Sequence, residues 1–253
     1  MPATTGSALI SPSNVLVTSE AVSRASVSAV RSILLSLEVP MELVLRIMDM
    51  AEYRPTLRTE RPNKVSIAAG GHAWDTEACW AAKLYLVSGP LLRSPEDVFW
   101  KVHKPNLAGE YAGAKSWYEA CIFRPRQADE VVNVTQIDGI YRTFSDPQQG
   151  MLAVQALLGA AGWTMVSHGG ELTWRLQNNR VAHDKYIRHV VEWSIDQPRG
   201  ITEEEEPLGA FAGDGFVEAL QPGDRVGIWM RAKHAGWECH TKAASVGIVY
   251  EFR

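Results

Sequence analysis

Two side chains with acid–base chemistry lie on strand-like stretches, and period-two alternation decides where each points. In 185–195, Ile187, His189, Val191, Trp193 and Ile195 share one face, while Tyr186, Arg188, Val190, Glu192 and Ser194 share the other. The first face is the apolar one, so His189 is expected to point inward. A desolvated imidazole shifts toward its neutral form, which can take up a proton or donate one hydrogen bond. The structural alternative is a core histidine bonded to a backbone carbonyl. In 116–123, Trp117, Glu119, Cys121 and Phe123 alternate with Tyr118, Ala120 and Ile122. If the Trp117 face is inward, Glu119 is a buried carboxyl with a raised pKa, suited to general-acid work. If the Tyr118 face is inward, Glu119 is solvated.

Aromatic residues supply the second set of candidates. The chain carries nine Trp against seven Tyr and six Phe. Trp100, Trp174 and Trp193 fall on apolar strand faces and read as core. Trp229 alternates with Ile228 and Met230 and shares its parity with Arg231 and Lys233; Trp117 shares its face with Glu119. Trp237 sits in KHAGWECH (233–240), and Trp74 in GGHAWD (70–75). Flat rings wrap apolar ligands or stack on sugars at low entropic cost, so Trp74, Trp117, Trp229 and Trp237, with His240, are the candidate ligand-binding residues. His234 and His240 flank Cys239 and form the nearest approach to a ligand cluster. Their place at a hairpin or strand end favours a structural or solvated role, and no metal is expected.

The exclusions are broad. The sequence contains no GxGxxG, GxxxxGK[ST], HExxH or GxSxG, so nucleotide, zinc-protease and hydrolase-elbow chemistry lack their motifs, and no cofactor is expected. Its three cysteines, Cys79, Cys121 and Cys239, form no CxxC pair, which suits reduced thiols in a cytoplasmic protein. The first twenty residues lack the basic and apolar regions of a secretory signal. No apolar run approaches the roughly 18 residues that a spanning helix needs. A net charge of −4 over 253 residues gives no basic surplus for nucleic acid or anionic lipid. The expected partner is a small apolar metabolite.

These candidates need elements to hold them. Val22, Ala25, Ala29, Ile33 and Leu37 recur at helical spacing, and after Pro40 so do Leu43, Val44, Ile47 and Met48. Pro55 and Pro62 close this helical region. Beyond it, runs at 83–87, 97–103, 116–123, 131–137, 171–176, 185–195, 224–233 and 245–252 are short, β-branched or aromatic, and bounded by turn residues. One further helix is expected at 147–162, ended by Gly159 or Gly162, and an acidic loop at 201–215. The expected fold is mainly β: an antiparallel β-sandwich or jelly roll (63–253) behind a tail and short helical region (1–62).

PMELVLRIMDMAEY (40–53) resembles the F-box-like helix at the head of a family of fungal cytosolic proteins. KLYLVSGPLL (83–92), GEYAGAKSWYEACIFRP (109–125), RLQNNRVAHDKYIRHVVEWSID (175–196) and the stretch 213–252 are similar, in order and spacing, to that family's C-terminal β-domain. Where relatives carry His-Asp-Gln-Gly-Trp, this chain reads HKPNLAGEY (103–111). The resemblance extends to the cofactor-free cyclases of fungal secondary metabolism, cytochalasan-type Diels–Alderases among them. It implies a cyclase or isomerase that folds a large polyketide-type metabolite in an aromatic-lined pocket, a reaction for which an inward His189 or Glu119, as read from the strand alternation, could polarise the substrate. The other reading is a non-enzymatic binding module, either an F-box-like adaptor or a glycan- or protein-binding sandwich.

Overall fold

The computed structural model describes residues 17–51, 53–70, 80–92, 95, 97–106, 113–127, 133–144, 147–179, 185–195 and 209–250. In chain order these form β1 (Val17–Val22), α1 (Arg24–Ser36), α2 (Met41–Met50), β2 (Thr56–Arg61), β3 (Val65–Ala68), β4 (Trp80–Val87), β5 (Asp97–Asn106) and β6 (Ser116–Pro125). There follow β7 (Thr143–Phe144), α3 (Pro147–Ala160), β8 (Trp163–Met165), β9 (Trp174–Asn178), β10 (Lys185–Ser194), α4 (Phe216–Ala219), β11 (Arg225–Lys233), β12 (Glu238–Thr241) and β13 (Ala243–Val249).

All the described ladders are antiparallel, and the fold is mainly β, as expected. A five-stranded sheet runs β1-β2-β13-β5-β10, and a larger one runs β7-β4-β11-β6-β8 with β9 also on β6. Strands β12 and β3 form a separate ribbon. One core lies between the two sheets: Leu57, Val98, Val191, Trp193, Val246 and Ile248 meet Tyr85, Tyr118, Ala120, Ile122, Val226 and Ile228. A second core lies on the outer face of the larger sheet. There Leu84, Cys121, Phe123 and Trp229 are covered by Val154 and Leu158 of α3 and by Val134 and Ile140. Both faces of β6 and β11 are therefore buried, which is why these strands read as nearly continuous apolar runs.

Three stretches differ from the sequence reading. Residues 17–22 are a strand, and the first helix starts only at Arg24, where the Ser23 hydroxyl caps it by accepting the Ser26 amide at 3.1 Å. The stretch between Pro55 and Pro62 is β2, whose inward residues are Leu57, Thr59 and Arg61. A buried arginine hid its alternation; the guanidinium donates to the Tyr85 carbonyl, and the Tyr85 hydroxyl donates back to the Arg61 carbonyl at 3.0 Å. Residues 134–136 form a 3-10 turn rather than a strand, because the Asn133 side chain accepts the Thr135 amide at 3.1 Å. The helices α1 and α2 are thus inserted between two strands that pair with each other. All of GGHAW (70–74) after its first glycine lies outside the described residues, as does most of the acidic loop.

One glycine is fixed by the core. Gly213 has a left-handed φ of 69°, and a Cβ there would stand 2.1 Å from Cδ2 of Trp193. That ring is held by its N–H bond to the Phe211 carbonyl (2.7 Å) and by edge contact with Phe216. Gly213→Ala is expected to lower stability by on the order of 3 kcal/mol, combining left-handed strain with overpacking. Chemical denaturation checks this; an unchanged midpoint would contradict it.

Candidate functional site

The larger sheet brings together three of the residues singled out by sequence. Trp117 and Glu119 on β6 lie across from Arg231 and Trp229 on β11, and Glu119 also lies across from Arg175 on β9. Their shared face is the outer one. It is not open as parity alone allowed: only 13 % of the Glu119 side chain is exposed, and Trp117 and Trp229 are buried. The Trp117 indole donates to Glu119 Oε1 at 2.6 Å, and Arg231 Nε and Nη2 both reach Oε2 at 2.8 Å. Burial pushes the Glu119 carboxyl up, but Arg231 and the hydrogen bonds from Trp117 and Thr173 outweigh it and hold the pKa below its ordinary value. Tyr118, Ala120 and Ile122 form the inward face of β6, the alternative that implied a solvated Glu119; the carboxyl is instead buried on the outer face, and its pKa is lowered rather than raised. Glu119 is ionised at neutral pH and has no proton to donate.

Around this pair the charges and rings alternate. Arg175 stacks over Trp117 at 3.9 Å and donates through Nε and Nη2 to Asn178 Oδ1 (3.0 and 2.7 Å). Burial, opposed by Glu119 and aided by Arg231, pulls its pKa down to about 10. Trp80 meets Trp117 edge to face, and Lys233 sits over Trp80. Trp229 donates to the Cys121 sulfur at 3.2 Å and packs on Phe144, and burial pushes the Cys121 thiol up to about 12. Such an arrangement clamps β6, β9 and β11 together. Arg175 was not identified from sequence because its partnership depends on strand order and on the bulge between Tyr118 and Glu119.

The remaining candidates are placed elsewhere. His189 shares its face of β10 with buried Val191 and Trp193, the inward face, as the alternation implied. The larger sheet stands between it and the outer-face Glu119, so the two do not share a site. His240 lies on the β3–β12 ribbon, with Nδ1 2.6 Å from the Ser66 hydroxyl and Nε2 2.6 Å from Glu238 Oε2. Trp237 is half-buried in the turn before β12, where its carbonyl accepts the Ala69 amide at 2.9 Å. Trp74 lies outside the described residues. Among the described residues no group of three His, Cys, Asp or Glu side chains is placed to hold a metal ion. No described helix is long and apolar enough to cross a membrane.

The helical pair carries a different feature. After α1, Glu38 turns left-handed (φ 57°), and the Glu38 and Val39 amides return to the Leu35 and Leu34 carbonyls, so α1 ends in a Schellman turn. Pro40 then opens α2, with Glu42 in its first turn. Val27, Val44 and Met48 form a small core of their own with Val30, Leu34, Val39 and Tyr53. At about 100° per residue, Ile33 and Leu37 lie to one side of the buried stripe of α1; on α2, Leu43 and Ile47 lie to one side of the Val44–Met48 stripe and Met50 further round on the same side. These five side chains are exposed, from 45 % for Ile47 to 78 % for Met50. Single exposed apolar residues are ordinary; five on two helices that pack together are a concentration of the kind from which interaction surfaces are built.

No family model matches the sequence, and no curated protein matches it at a significant level.

Proposed function

We propose that this chain is a protein-binding module whose α1–α2 pair docks its apolar flank onto a helical partner. The exposed row of Ile33, Leu37, Leu43, Ile47 and Met50 carries this reading. Full burial of such a side chain contributes about 1.5–3 kcal/mol, so covering the half still exposed on five of them supplies about 4–7 kcal/mol before the cost of association. Spacing at four and three along α2 is the pattern by which one amphipathic helix seats in the groove of another protein. The resemblance of 40–53 to an F-box helix supports a particular partner, the adaptor subunit of a ligase of the kind such helices engage. The β-sandwich then serves as the carrier of whatever is brought to that adaptor.

The cyclase reading calls on an inward His189 or Glu119 to polarise its substrate. Glu119 is ionised, locked to Arg231 and on the outer face, so that reading is left with His189, and the exposed apolar residues of α1–α2 favour the binding reading.

The test is co-elution of the purified chain with a purified ligase adaptor in size-exclusion chromatography. A one-to-one complex is expected, lost in the Leu43→Glu/Ile47→Glu double variant. Both positions are exposed, so the variant should keep the wild-type unfolding midpoint. Separate elution of the wild-type chain would overturn the proposal.

A further inference from the structure

The five-stranded sheet carries a second feature on its outer face. A groove of about 290 Å³ is lined by Arg58, Glu60, Arg61, Pro62, Arg188 and the Ala243–Ser245 segment. Ala243 and Ser245, at the start of β13, present only small side chains to it; β2 borders β13 on one side, and β5 and then β10 follow on the other. Register fixes the composition of this face. Glu60 stands across from Ser245, and Arg58 from Gly247. On the other side, β5 places His103 between Ala243 and Arg188, and Lys101 between Ser245 and Val190.

The charge here is one-sided in a chain that is acidic overall. Arg58 is paired with Glu60, which leaves that wall neutral. Arg188 has no acidic partner among the described residues; Glu192, the nearest acid on its own face of β10, is four residues away, about 13 Å along a strand. Two residues before Arg188, on the same face, Tyr186 is approached by Lys64 at 5.7 Å and by Lys242 at 6.0 Å. Lys242 directly precedes the groove floor and Lys64 follows Pro62 by two. Lys64 and Lys242 thus flank Tyr186 beside Arg188, and the groove lining itself holds three arginines against one carboxylate, Glu60.

We infer that this groove binds a small phosphomonoester, its phosphate held by Arg188, Lys64 and Lys242 and its carbon skeleton lying on Ala243 and Ser245. A phosphomonoester brings a charge of about −1.5 to −2 and three acceptor oxygens, which suits a forked guanidinium flanked by two ammonium groups. The volume sets the size: ligand pockets for drug-sized molecules run from about 300 to 1,000 Å³, so this groove admits a ligand no larger than a sugar phosphate. The site is independent of the α1–α2 docking face.

The experiment is isothermal titration of the full chain with ribose 5-phosphate, ribose and inorganic phosphate, at low and at physiological salt. Ribose 5-phosphate is expected to bind tightest. Its affinity should fall at least about tenfold in Arg188→Ala, and weaken further at the higher salt, as partly exposed charges require. In Lys64→Ala/Lys242→Ala, binding should weaken and lose part of its salt dependence. These side chains are on the surface, so unfolding midpoints serve as the control for folding. Failure of ribose 5-phosphate to bind would overturn the inference. So would equal binding of ribose or of inorganic phosphate, or wild-type affinity in Arg188→Ala.

Discussion

Glu119→Gln is expected to destabilise the fold by about 3–5 kcal/mol, because it leaves the Arg231 guanidinium buried without its counter-charge. Arg231 is only 7 % exposed, so water cannot replace the carboxylate. Arg175, already pulled down to about 10 by burial, loses the one acid that opposes that shift. The same pair sets an acid limb. The Glu119 pKa is held below the ordinary 4.5, so its contribution is complete above that value and disappears as pH falls through the lower folded value. Urea unfolding at pH 7 should therefore show the large loss, and the loss should shrink below pH 4.5 as wild type gives up the same interaction. Equal midpoints at pH 7 would show that the clamp contributes nothing.

The second large effect is expected at Trp229. This ring is 1 % exposed and sits in the outer core between Cys121, Phe144 and Leu84, where the sequence pattern suggested a ligand-facing residue. Trp229→Ala removes the largest fully buried side chain among the described residues and is expected to cost about 3–5 kcal/mol, depending on how far the α3 side can collapse. Adaptor capture by the folded protein should be unchanged, because the docking flank belongs to the separate core of Val27, Val44 and Met48. Wild-type stability in this variant would contradict the packing assigned to Trp229.

Alternation placed His189 inward and set Trp229, Arg231 and Lys233 on a common face, because period two is a local property of the strand. It did not show that this face is covered. Covering depends on α3 and on the 133–144 segment folding back over the larger sheet, contacts between residues far apart in sequence. The alternation in β2 was masked for a related reason: Arg61 is an inward residue of charged type, made tolerable by the Tyr85 backbone carbonyl 24 residues away. The direction of the Glu119 pKa was beyond local reading too. Burial and a facing arginine push it in opposite senses, and only the register between β6 and β11 shows that both are present. By contrast, the second helix was legible nearly to the residue, since Pro40 and the Leu43–Met48 spacing act within one element.

The docking claim is most directly tested by hydrogen–deuterium exchange on the chain alone and with the purified ligase adaptor. New protection is expected only in residues 33–50, centred on Ile47, with the ladders of both sheets unchanged. Protection in the sandwich strands with none in α1 or α2 would contradict it.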